Sequence, residues 1–136
     1  MTEAKKVQDG GAPFTNESQI IRVVYDFAND GGATGLLDLL KSDANDDIVI
    51  IGGWLNVLTT FTSGGAATLD AGASTADPNG LLAAVALGSL TAGALIKFLA
   101  ATTLLKVPKT ETVNMEIKTA DYTAGKAEFV FIVAKF

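Results

Sequence analysis

Apolar and polar positions along this chain alternate with the period of two that half-buried strands show, broken by clusters of Gly, Asn, Asp and Ser. The run from Ile20 to Gly35, IIRVVYDFANDGGATG, sets the pattern. Its β-branched and aromatic residues suit a pleated surface, and Asn29-Asp30-Gly31-Gly32 supplies the positive-φ positions of a tight turn. Leu36 to Leu40 is then placed to return as a second strand. Asp47 to Thr62 is the longest such run. There Val49, Ile51, Leu55, Val57, Thr59 and Phe61 are expected on one face, with a bulge or bend at Gly52-Gly53. Ser63-Gly64-Gly65 is expected to close a hairpin from which Ala66 to Ala71 returns.

Further along, Asp77-Pro78 has the form of an N-cap followed by proline at the first helical position, predicting a short helix through about Leu87. Thr91 to Thr103 reads as a strand or an irregular buried segment, and Pro108 separates it from a C-terminal pair. In that pair Val113, Met115, Ile117 and Thr119 face one way, while Asn114, Glu116 and Lys118 face water. A turn at Thr123-Ala124-Gly125 leads into Phe129 to Phe136. This last strand is apolar on both faces, with Val130 and Ile132 opposite Phe129 and Phe131. A strand of that kind is central in its sheet or covered by a partner. The elements add up to an all-β fold, an antiparallel β-sandwich, jelly-roll-like, with one short helix.

The first eighteen residues break the alternation. Residues 1–18 are polar, with Gly, Pro, Asn and Ser, and read as an extended N-terminal arm ahead of a β-sandwich domain at 19–136. The arm lacks the apolar centre of a secretory signal. Phe14 is the aromatic in this polar tract and Lys5-Lys6 its basic pair. The tract reads either as a frayed terminus or, on the strength of Phe14 and the basic pair, as an arm that orders against a neighbouring subunit and strengthens attachment to a larger assembly.

Gly80 to Leu105 is apolar enough in length to raise a membrane span, which needs about 20 residues. Its Ala, Thr, Ser and Gly content, the breaks at Gly88-Ser89 and Thr91-Ala92-Gly93, and Lys97 inside it favour a buried segment of a soluble domain. No membrane partner is expected.

Composition narrows the chemistry. The chain has 136 residues, no His, no Cys and a net charge of −5. That length fits one core, and disulfides and thiolate metal sites are excluded. The ten basic residues are scattered, so no nucleic-acid face is expected. Asp43, Asn45 and Asp47 have the spacing that opens a calcium loop. Ile48 stands where the turn glycine belongs and Trp54 where the bidentate Glu belongs, so the segment reads as a solvated acidic loop. The glycine pairs lack the phosphate-loop frame, and no residue pair marks a nucleophile with its base. No catalytic residue, metal or cofactor is expected. The chain's single tryptophan, Trp54, packs in the core or anchors an interface, where Trp is enriched. Phe14, Trp54, Val130 and Ile132 are the candidate interface residues. In a carbohydrate-binding module, Trp54, Tyr25 or Tyr122 would instead stack on sugar rings.

Several segments occur in an order that has a parallel. Val24-Tyr25-Asp26-Phe27-Ala28 is followed by Asp30-Gly31-Gly32-Ala33 and Gly35, then by Asp47 to Ile51. Next come Val57 to Thr68, Leu81-Leu82-Ala83-Ala84 and Thr123-Ala124-Gly125-Lys126. Over Ile20 to Phe136 this order resembles small tailed-bacteriophage virion proteins of the head-decoration or cement type. The resemblance implies a β-sandwich or jelly-roll module on the capsid exterior, commonly a homotrimer, that binds the major capsid protein and strengthens the shell. It carries over no catalytic residues. Another virion component, such as a minor coat, fibre-base or tail protein, is the neighbouring expectation.

Overall fold

The computed structural model describes residues 19–41, 47–74, 77–98 and 104–135. The arm at 1–18, Phe14 within it, and Asp43 and Asn45 of the acidic loop lie outside the described residues. Among the described residues nine strands form two antiparallel sheets: β1 (Gln19–Asp26), β2 (Gly35–Lys41), β3 (Ile48–Ser63), β4 (Thr68–Ala73), β5 (Asp77–Ala86), β6 (Leu95–Lys97), β7 (Leu105–Val107), β8 (Thr112–Lys118) and β9 (Tyr122–Lys135). One sheet runs β1-β9-β3-β6, with β7 also pairing β3, and the other runs β2-β8-β4-β5. The fold is therefore the all-β sandwich expected from the alternation. Its core lies between the sheets and includes Ile50, Leu55, Val57, Phe129 and Phe131 from one, and Leu69, Met115 and Ile117 from the other.

Consecutive strands were expected to form hairpins, and three of these connections instead cross between the sheets. β1 ends in a single helical turn, α1 (Phe27–Asp30), which is the α-helix among the described residues. Asp26 caps it by accepting from the Ala28 N–H, and Asp30 accepts from the Asp26 N–H in return. This reciprocal cap satisfies helical donors where a two-residue turn was expected. The chain then enters β2 in the opposite sheet. β3 likewise passes to β4, and β8 to β9, across the sandwich rather than beside themselves.

The three crossings are stitched together at Asp121. The Thr34 N–H donates to its carboxylate (2.9 Å), Ser63 Oγ to its backbone carbonyl (2.6 Å), and the neighbouring Tyr122 N–H to Gly32 O (2.8 Å). The turn expected at Thr123-Ala124-Gly125 therefore falls earlier, at Thr119 to Asp121, and Gly125 lies inside β9.

Asp77-Pro78 opens a strand, not a helix. β5 is the outer strand of its sheet, where a proline costs no ladder bond on its free side, and pairing with β4 overrides the local cap signal. A short 3₁₀ turn at Leu87–Ser89 follows. The apolar run then passes along the edge of β3, with Leu90 O accepting from Phe61 N–H and Ala94 O from Val57 N–H. Leu81, Leu82, Leu90, Phe98 and Leu105 fill the core, and none of the described helices is long and apolar enough to cross a membrane.

Gly52-Gly53 forms the expected bulge, with a consequence for phase. The register with β9 slips between Ile50 and Gly52, so Ile48 and Ile50 point inward before it and Leu55, Val57 and Phe61 after it. Val49 and Ile51, expected inside, are turned away from the core. Asn114, expected in water, is buried on the outer face of the four-stranded sheet. There its Nδ2 donates to Asp38 Oδ1 (2.6 Å).

Candidate functional site

β1 and β9 are apolar on both faces, and only one face of each can enter the core. The antiparallel register shows which residues share the outer face of the five-stranded sheet. Ile20, Ile132 and Gly52 form one row, and Arg22, Val130, Trp54 and Lys97 the next. Val24, Glu128, Asn56 and Leu95 form a third. Exposure along this face is high for aliphatic side chains: Ile20 59%, Val24 48%, Ile51 40% and Leu95 69%. Charges border the apolar patch: Arg22 pairs with Glu128 at 3.2 Å, Asp26 and Lys126 form the next row, and Lys106 lies opposite Val49. Lys97 has no carboxylate partner among the described residues.

Within this face lies a groove of about 520 Å³, lined by Ile51, Gly52, Gly53, Trp54, Leu95, Lys97 and Ile132. The β-bulge makes it. Gly53 sits at φ +133°, and a Cβ there would stand 2.0 Å from the Val130 carbonyl oxygen and 2.9 Å from the Phe98 ring. The missing side chain at Gly52, beside Ile132, leaves the depression, Gly53 makes room for the Phe98 ring beneath it, and the extra residue turns Ile51 outward to the rim. Beneath it the Phe98, Phe129 and Phe131 rings pack at centroid separations of 5.5 to 6.4 Å, giving the groove a rigid base.

Three of the four candidate interface residues thus come to one face. Trp54 and Ile132 line the groove. Val130 is fully buried, flanked in its row by Arg22 and Trp54, and supports the face from below. Phe14 lies outside the described residues. Sequence reasoning missed Ile20, Val24, Ile51 and Leu95. A signal existed for the first two, because Ile20, Ile21, Val23 and Val24 are too continuously apolar for a strand with one wet face. Ile51 depends on the bulge phase.

The outer face of the four-stranded sheet carries more polar groups, with Asp38, Asp70, Glu116 and Lys118, although Leu36 lies exposed (60%) in the row of Glu116 and Asp70. Asp70 is 4% exposed. Its carboxylate meets Lys118 Nζ at 2.9 Å and accepts from the Ala84 N–H at 2.6 Å. The hydrogen bond to Asp70 holds the Lys118 ammonium above the usual lysine value. No group of three or more potential metal ligands occurs among the described residues. Tyr25 and Tyr122, considered for sugar stacking, are each 2% exposed and lie in the core, which removes them from that role.

The molecule is, as a class, an antiparallel β-sandwich with one mainly polar outer face and one outer face that carries an apolar, grooved patch bordered by charges. No family model, curated protein or solved structure matches the chain.

Proposed function

We propose that this protein is a non-enzymatic virion structural protein of a tailed bacteriophage, which decorates the capsid exterior and cements the shell by binding the major capsid protein. The observation that carries this reading is the apolar outer face of the five-stranded sheet. Contiguous apolar surface on a soluble domain marks an interaction site, and a rigid sheet presents it without an ordering cost. The sequence resemblance supplies the identity of the partner and favours a homotrimer. An acidic molecule with a polar opposite face is suited to standing outside a shell, one face docked and the other in water.

The test is co-sedimentation with shells stripped of accessory proteins. The wild-type chain is expected to co-sediment at a fixed stoichiometry. Ile20→Lys/Val24→Lys, which changes two exposed side chains, is expected to lose at least tenfold in affinity for the shell, about 1.4 kcal/mol, while unfolding at the same temperature. Equal occupancy of both proteins would remove the docking role from this face. Failure of the wild type to bind any shell would remove the virion reading.

A further inference from the structure

We infer that Asn79-Gly80, in the outer strand β5, is a site of covalent self-modification in the folded protein. The asparagine deamidates through a succinimide to aspartate and isoaspartate. The inference does not depend on the docking role proposed above.

Asn79-Gly80 is the chain's one Asn-Gly pair, and every other asparagine precedes a residue with a side chain. A glycine leaves its own backbone nitrogen open to approach, since no Cβ crowds the path. Such a pair belongs in a two-residue turn, yet here it lies within a strand. The register shows what that strand does at this point. Ala71 of β4 stands opposite Leu82 and Ala73 opposite Asp77, so Gly72 alone faces Pro78, Asn79, Gly80 and Leu81. These four residues have no register partner on β4. They loop out over Gly72, where a Cβ would stand 2.1 Å from the Asp77 carbonyl oxygen and 2.7 Å from the Gly80 nitrogen.

The segment is also reached by water. β5 is the last strand of its sheet, Asn79 is exposed and Gly80 is half-buried. The backbone at this pair can therefore rotate without undoing a register pair, as a segment of low local stability does. Packing keeps the glycine in place: a Cβ on Gly80 would lie 2.6 Å from Asp77 Oδ2 and 2.9 Å from Leu105 Cδ1.

In the first step base removes the Gly80 amide proton and the nitrogen attacks Asn79 Cγ. A C–N bond forms there, the bond to the side-chain nitrogen breaks, and ammonia leaves with a proton. Water then opens the five-membered ring. Attack at Cγ restores the ordinary peptide link as aspartate. Attack at the Asn79 backbone carbonyl leaves the chain running through the side chain as isoaspartate. Either product adds one negative charge beside Asp77, and isoaspartate adds a methylene to the backbone where no register pair has to absorb it.

The test incubates the full folded chain at mildly alkaline pH in heavy-oxygen water and maps its peptides by mass. The same incubation in denaturant gives the rate for the unfolded chain. The expected result is conversion at Asn79, with one heavy oxygen incorporated and isoaspartate among the products. Its rate in the folded protein is expected within about tenfold of the unfolded rate, because little local opening is required. Asn79→Gln, which would need a six-membered ring, is expected to show no conversion at that peptide. A folded-state rate more than about tenfold below the unfolded one would overturn the inference, since the strand would then hold the pair as a ladder does. Equal conversion in Asn79→Gln would overturn it too, by moving the reaction to another residue.

Discussion

Tyr25, Phe61 and Tyr122 form an aromatic cluster in which the Tyr25 and Phe61 rings stack at 5.8 Å and the Tyr122 ring meets Phe61 edge-on at 4.9 Å. Tyr25 Oη donates to Gly31 O at 2.5 Å, tying β1 to the arch that follows. Burial pushes the Tyr25 phenol up to about 12, with the nearby Asp30 and Asp26 carboxylates adding to it, and burial pushes Tyr122 higher still. A phenol whose folded-state value is raised contributes stability that is intact below its unfolded value of about 10 and is lost as pH rises through the folded value. These are the only two tyrosines in the chain. A spectrophotometric titration of the native protein should therefore show almost no tyrosinate at pH 10. In denaturant, half of the signal should be present at that pH. Stability should fall across pH 10–12 by about 1.4 kcal/mol per unit for each phenol held neutral. A native titration centred near 10 would contradict the burial of both rings. Ala84 offers a second test. It is held at φ +48° while its N–H donates to Asp70, in the left-handed region that costs a residue with a Cβ about 1 kcal/mol. Ala84→Gly is expected to leave stability unchanged or raise it by up to about 1 kcal/mol, whereas Asp70→Ala should lower it by about 1–3 kcal/mol by orphaning that donor. Urea unfolding of the two variants measures both.

Strand β9 shows what an element gains from an irregularity. Gly125 has φ +146°, and the Phe61 ring of β3 lies against it, with ring carbons 2.6 Å from where a Cβ would be. The ring covers the glycine backbone and at the same time reaches both tyrosines. Gly125→Ala would strain the backbone and expel the ring together. A loss of about 3 kcal/mol is expected, seen as a fall of roughly 10 °C in Tm with loss of near-ultraviolet dichroism. A drop below about 1 kcal/mol would mean that the cluster adjusts freely. β3 uses its own bulge differently. The slip at Gly52-Gly53 keeps a sixteen-residue strand in contact with the core on both sides of the break and opens the groove between them.

The whole molecule is two-sided. One sheet presents Asp38, Asp70 and Glu116 outward, the other Ile20, Val24, Trp54 and Leu95. Such an arrangement favours self-association through the apolar patch. Light scattering of the wild-type chain is expected to give an oligomer, and Ile20→Lys/Val24→Lys a smaller species at equal concentration. A wild-type monomer at every concentration where the protein is folded would count against self-association by this face.

Period-two alternation with turn residues at its breaks was enough to read an all-β sandwich from the chain, because side-chain direction in a strand depends only on position. It also gave the inward residues of β8 and the central place of β9, whose two apolar faces need cover on both sides. Val130 and Ile132 were legible as the second apolar face of β9, although Val130 is fully buried between Arg22 and Trp54, and Trp54 stayed open between core and interface until the bulge set its phase. The partners of each strand were not legible. Asn29-Asp30-Gly31-Gly32 and Ser63-Gly64-Gly65 have hairpin chemistry, yet both connect opposite sheets, since the arches gain bonds to Asp121 from segments more than fifty residues away. Asp77-Pro78 carried a helix-start signal that pairing with β4 outweighed. The bulge at Gly52-Gly53 was visible, but the direction in which it shifted phase was set by the β9 ladder, and with it the exposure of Ile51. Local preference acts over a few residues, and pairing across the sandwich acts over the whole chain. Where the two disagreed, the greater buried area prevailed.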